Sequence, residues 1–140
     1  MNRPEKEDAG GAAAANRIHE LMNEGRALHR SGRLNEFLEL CRQALVLCQE
    51  AGDPALEGGV IGNIGMIYQE LGKPEEAMRY LQRAAALLRQ AEYHAGLGRL
   101  LNSIAISHRA LGRHREAYDC QLEALSVVRK DEDRQGEFSV

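Results

Sequence analysis

Three glycines at 32, 72 and 112 stand forty residues apart, and the residues around them recur at the same spacing. The central copy, GMIYQELGKPEEAMRYLQRA from Gly65 to Ala84, carries Gly65, Leu71-Gly72, Pro74, Glu76-Ala77, Leu81 and Ala84. Forty residues on, the frame meets Ala105, Leu111-Gly112, Glu116-Ala117 and Ala124; forty back, it meets Gly25, Gly32, Glu36 and Ala44. A fixed internal period constrains the fold more than any local motif does. Each unit is one supersecondary element whose apolar face is buried only by stacking on its neighbours.

Between the glycines the apolar residues follow helical spacing. Ile18, Leu21, Met22, Gly25 and Leu28 form a first stripe, and Leu34, Phe37, Leu38, Cys41, Ala44, Leu45 and Cys48 a second, stopped by Gly52. Asp53-Pro54 is a helix-start signal, a carboxylate able to cap free N–H groups followed by proline at the first helical position. Ile61, Ile64, Gly65, Ile67 and Tyr68 face inward from the third helix. Pro74 opens the fourth, where Glu75 and Glu76 suit the helix dipole and Ala77, Leu81, Ala84, Leu88 and Ala91 make the stripe. Leu97, Leu100, Leu101, Ile104, Ala105 and His108 belong to a fifth, and Ala117, Cys120, Ala124, Val127 and Val128 to a sixth. The expected fold is all-α: a superhelical solenoid of three hairpins built from six helices. Few β-branched residues and an aromatic content of 4% disfavour a sheet core.

Residues 1–14 mix charge, Pro, Gly and Ala without an apolar stripe and read as a disordered tail, with Ala12 to Ala15 the stretch able to extend the first helix. The repeat domain is expected over 15–132, in units of about 18–57, 58–97 and 98–137, with 133–140 a tail or the start of a further unit.

Within each unit a small residue is followed after seven positions by Gly, after twelve by Ala or Phe and after nineteen by Ala. Small residues at these offsets let two antiparallel helices approach closely. This pattern, with a bulky residue at Tyr68, resembles the tetratricopeptide repeat (TPR) over about residues 18–132. The forty-residue period exceeds the usual TPR length of about 34 and overlaps that of HEAT repeats, but Leu-Gly followed by Glu-Ala favours TPR. The extra residues are expected to lengthen the second helix and its connector, in Ala51–Glu57, Ala91–Leu97 and Asp131–Glu137. Such long repeats are similar to those of scaffolds that link heterotrimeric G-protein subunits to spindle orientation, of rapsyn, and of several bacterial signalling proteins.

No catalytic grouping emerges. Gly58, Gly59, Gly62 and Gly65 match neither a dinucleotide nor a P-loop spacing and lack a Gly-Lys-Ser/Thr ending, so they read as close helix packing. His19, His29, His94, His108 and His114 include no i, i+4 pair around a glutamate, so no metal site is expected, and no cofactor. Cys41 and Cys48 are about 10 Å apart by helical rise, too far for a disulfide, and with Cys120 read as small core residues. A net charge of −3 gives no general attraction to nucleic acid, and no segment is long and apolar enough for membrane insertion. The cytoplasm is the expected compartment.

The resemblance implies a non-enzymatic adaptor or scaffold, with a concave groove lined by the first helix of each hairpin. Asn23 and Asn63 are repeat equivalents there, and Asn102 and Ser103 take the third place. In TPR proteins such asparagines often bind the backbone of an extended peptide, for which an amide offers both donor and acceptor. Arg26, Arg99 and Arg109, with Arg30, make the groove basic against Glu70, and Met66 adds apolar contact. The expected ligand is therefore an extended acidic peptide segment of a protein partner. The alternative is a structural module or short form of a longer array, self-assembling end to end. Gln121 stands where the central unit has Leu81, so the last helix is poorly capped; dimerisation is expected there, sensitive to Leu122, Leu125 and Phe138.

Overall fold

The computed structural model describes residues 3–138, with side chains from residue 9 to residue 135. Six helices follow in order: α1 (Arg3–Arg30), α2 (Leu34–Ala51), α3 (Pro54–Glu70), α4 (Pro74–Gln90), α5 (His94–Ala110) and α6 (His114–Phe138). They pair as three antiparallel hairpins, α1/α2, α3/α4 and α5/α6, stacked in sequence.

A turn every twenty residues sets this geometry. Gly32, Gly52, Gly72 and Gly112 all take positive φ, and the fifth such residue, midway between Gly72 and Gly112, is Glu92 at φ 54°. At four of these turns the following N–H reaches back five residues: Arg33 to the Leu28 carbonyl, Lys73 to Tyr68, Tyr93 to Leu88 and Arg113 to His108. That bond satisfies a carbonyl that the ending helix leaves free. The half-period of twenty, half hidden in the sequence by the glutamate at 92, makes α3, α4 and α5 equal at 17 residues each.

Helix starts also follow local chemistry. The Asp53 carboxylate accepts from the N–H of Ala55 (3.0 Å) and Leu56 (3.4 Å), and Pro54 stands at the first helical position. Long connectors are therefore absent. Pro54 starts α3 as the Asp53-Pro54 signal implies, while residues 94–97, expected to lengthen the preceding helix or its connector, are the first turn of α5. The extra residues of the repeat have gone into both helices of the hairpin.

Small residues govern the approach within each pair. A Cβ at Gly65 would lie 2.7 Å from the Leu81 side chain and 3.2 Å from the Ala77 carbonyl oxygen. One at Gly58 would come within 2.8 Å of Leu88, and one at Gly25 would overlap the Phe37 ring. Gly59 differs: no atom lies within 4 Å of the place its Cβ would take.

The core has two joined parts. Ile18, Leu21, Phe37, Cys41 and Cys48 pack with Val60, Ile64 and Ile67 of α3. On the other side of α3, Ile61 joins Leu81, Leu88, Leu97, Leu101, Ile104 and Val127. Helix α3 is thus apolar on two faces because it has packed neighbours on both. Tyr68 and Tyr80 stack at 5.3 Å, nearly parallel, and touch both parts. His108 occupies Tyr68's place in the third unit; it is buried, and its Nδ1 has no hydrogen-bond partner.

Three expectations need correction. The supposed tail is largely helical: α1 begins at Arg3, Ala14 is buried, and Gly11 sits against the Glu50 carbonyl near the end of α2. Small residues let that stretch lie alongside α2, and residues 1–2 are outside the described residues. At the other end, α6 continues to Phe138 through residues 133–138 instead of turning, while residues 139–140 and the Phe138 side chain lie outside the description. Within α6, Ala117, Ala124 and Val127 are buried, but Cys120 is only half-buried and Val128 is exposed, since no described helix covers that side.

Burial pushes the Cys41 thiol up to about 12 and, with help from Glu57 and Asp53, Cys48 up to about 11. Both lie above the ordinary 9.0. The stability they contribute is therefore complete below that value and declines as pH rises from it through the folded-state values, because the unfolded chain loses its thiol protons first. Urea unfolding at pH about 8 and about 10 should show a fall in stability that is smaller in Cys41→Ala.

Two backbone substitutions test the packing scheme by thermal or urea unfolding. Glu92→Gly relieves a left-handed glutamate and should raise stability by about 0.5–1 kcal/mol. Gly65→Ala should lower it by about 1–3 kcal/mol through overpacking, whereas Gly59→Ala, with open space, should raise it by about 0.5–1 kcal/mol.

Candidate functional site

Helices α1, α3 and α5 line the concave side, and two polar ties set their spacing. His29 Nε2 of α1 lies 2.7 and 2.9 Å from the two carboxylate oxygens of Glu70 on α3. One residue earlier on α3, Gln69 Nε2 donates to the Ser103 carbonyl and to Ser107 Oγ of α5, both at 2.8 Å. Ser107 is fully buried at a position occupied by Ile67 in the second unit. A polar residue at an inward position was the sequence signal for this tie.

Beside these ties a cleft of about 470 Å³ opens between the helices. His19, Met22 and Arg26 of α1 form one wall, and Arg99, Leu100 and Ser103 of α5 the other. The floor is the first three turns of α3, where Gly58, Gly59 and Gly62 keep the surface low. Leu88, Tyr93 and Gly96 close the far end, where a Cβ on Gly96 would collide with the Tyr93 ring. The volume is within the range of about 300–1,000 Å³ usual for ligand pockets.

Of the residues expected in a groove, Arg26, Asn63, Met66, Arg99 and Ser103 line this cleft. Asn23, Asn102 and Arg109 do not; all three are exposed beside it. Asn23 Oδ1 accepts from Arg26 Nη1 at 2.8 Å and so orients that guanidinium. Asn63 is half-buried, and its Nδ2 meets only the Met22 sulfur, at 3.4 Å. A thioether is a weak acceptor, so a ligand carbonyl would take that N–H readily. The Ser103 hydroxyl makes a long bond, 3.4 Å, to the Arg99 carbonyl of its own helix. The row of amides is therefore not continuous across the groove.

The charge balance is also sharper than the sequence implied. Glu70, expected to oppose the arginines, is held by His29. Asp53 lines the cleft, but one of its carboxylate oxygens caps α3. Neither Arg26 nor Arg99 pairs with a carboxylate among the described residues, and both are exposed. Sequence reasoning missed Leu56, Tyr93 and Gly96, which precede the stretches of α3 and α5 expected to line the groove. The glycines read as close packing divide in role: Gly58 and Gly65 serve packing, while Gly59 opens the cleft.

Among the described residues no group of three His, Cys, Asp or Glu side chains is placed to hold a metal ion. No described helix is long and apolar enough to cross a membrane.

The chain's sequence matches the tetratricopeptide repeat family over residues 58–130, which takes in most of α3 and α4 to α6 and just over half of the chain. No curated protein matches it. Among the 26 solved chains that do match in structure is the TPR domain of FLU from Arabidopsis. That likeness covers 84% of this chain and 98% of the FLU domain, with a TM-score of 0.74 and 20% identity, and so concerns the fold. With its small-residue repeat, its stacked antiparallel hairpins and this match, the chain belongs to the tetratricopeptide repeat family.

Proposed function

We propose that the chain is a non-enzymatic adaptor that holds an extended acidic peptide of a protein partner in the cleft between α1, α3 and α5. The TPR fold is a general protein–protein interaction module, and the proposal goes further in naming the ligand's chemistry and the residues that meet it. The observation that carries it is the pair Arg26 and Arg99, one on each wall of a glycine-floored cleft and neither neutralised by a described carboxylate. Guanidinium groups bind carboxylates through paired, charge-assisted hydrogen bonds. Asn63, midway on the floor, supplies a donor to the peptide backbone, and Met22, Leu56, Met66 and Tyr93 supply apolar contact. Gly59 leaves room for the ligand's main chain to approach α3.

A library of acidic peptides, some with a free C-terminal carboxylate and some amidated, tests this by fluorescence polarisation against a basic library. Acidic members should bind. Arg26→Glu and Arg99→Glu should each weaken binding at least about tenfold, the equivalent of a lost charged hydrogen bond, and Asn63→Ala about fivefold. Asn102→Ala and Arg109→Glu, beside the cleft, should change it little. Binding unaffected by Asn63→Ala and Arg99→Glu would refute the groove assignment.

A further inference from the structure

The two ends of the stack differ in kind. In α3, Val60, Ile64 and Ile67 are buried against the preceding hairpin. Their equivalents in α1 are Glu20, Glu24 and Ala27, all exposed, and Glu20 pairs with Arg17 at 3.1 Å. That end is capped by charge. At the other end, Met78, Leu81, Ala85 and Leu88 of α4 are at most 6% exposed. Their equivalents in α6 are Tyr118, Gln121, Leu125 and Val128, with Tyr118 61%, Leu125 50% and Val128 44% exposed, and Leu122 beside them at 49%. The face that the first two hairpins bury on the next one is open in the third.

A head-to-tail stack would bury Glu20 and Glu24 against this apolar face and strip both carboxylates of water. The open face suits a copy of itself instead. Arg115, Tyr118, Leu122, Leu125, Arg129 and Glu132 follow alternating steps of three and four, the spacing of a coiled-coil seam, and all six are exposed. The seam is symmetric in chemistry about the midpoint between Leu122 and Leu125. Laid antiparallel on a second copy, it sets Leu122 opposite Leu125, Tyr118 opposite Arg129, and Arg115 opposite Glu132, each twice. These are an apolar pair, a cation–π pair and an ion pair. Laid parallel, it would oppose Arg115 to Arg115 and Glu132 to Glu132. Among the described residues, Arg115, Arg129 and Glu132 have no ion pair within the chain to give up.

We infer that the chain forms a two-fold dimer through antiparallel pairing of α6 with α6 of a second copy, leaving both concave clefts open to ligand. A contact of this kind is isologous and closes on itself, so it ends at two copies. It draws on a different face from the peptide cleft and stands whether or not that cleft binds acidic peptides.

Sedimentation velocity of the full chain over a concentration series tests it. The native chain should pass reversibly from monomer to dimer, with a Kd on the order of tens of micromolar. Arg115→Glu and Glu132→Arg alone should each raise that Kd about tenfold, since each reverses two symmetric pairs, and the double variant should return it to within about threefold of native. Leu122→Glu should abolish the dimer. All three positions are exposed, so unchanged circular dichroism would show that the variants fold. A chain that stays monomeric at about 500 µM, as it would if the helix of an unrelated protein occupied this face, overturns the inference. So does a dimer that the double reversal fails to restore, because that dimer would use another geometry.

Discussion

The contact between Leu81 and the bare Cα of Gly65 is the one the rest of the structure depends on. It lets α3 and α4 approach until the Leu81 side chain meets the α3 backbone, and the same arrangement recurs between Gly25 and Phe37 and between Gly58 and Leu88. Close approach sets the distance within a hairpin. That distance sets how each hairpin stacks on the next, and the stacking in turn leaves first helices on the concave side. A methyl group at the wrong position would alter the whole array rather than one pair.

Equal helices give the array its regularity. Positive-φ residues fall every twenty positions, so the four inner helices, α2 to α5, are 17 or 18 residues long. Helix α3 gains most from this, since it packs on both sides and is apolar on both. The glycines on its remaining side face the groove, where Gly59 meets no neighbour. The same residue type therefore serves two ends on one helix: contact where a partner helix lies close, and open space where none does. The cleft is a consequence of this division.

Much of the fold was legible because its signals are local. Asp53-Pro54 starts a helix whatever surrounds it, and Gly72 followed by Pro74 ends one and begins another. Small residues at fixed offsets declare a close helix pair before its partner is known. The turn at Glu92 was harder to see, because a glutamate there is held in a left-handed conformation by the helices on either side and not by its own preference. The first turn of α5 was misassigned to a connector for the same reason. Residues 3–14 carry no apolar stripe, and their place in α1 rests on the fit of Gly11 and Ala14 near the end of α2.

The sequence by itself determined the family, the number of helices and the four turns marked by glycine, since these follow from repeated residues acting over a few neighbours. Which of the groove residues share a cleft was decided only in the tertiary structure. Asn63 and Ser103 line the cleft, while Asn23 and Asn102, equivalent or adjacent in the repeat, are exposed outside it, because which positions line a cleft depends on the helices packed beside them and not on their place in the repeat. The ties from His29 to Glu70 and from Gln69 to Ser107 join residues about forty positions apart, and no local pattern announces them. Only the folded chain shows that Glu70 is held by one of these ties while Arg26 and Arg99 stand without a carboxylate partner among the described residues, because charge is balanced in space rather than along the chain.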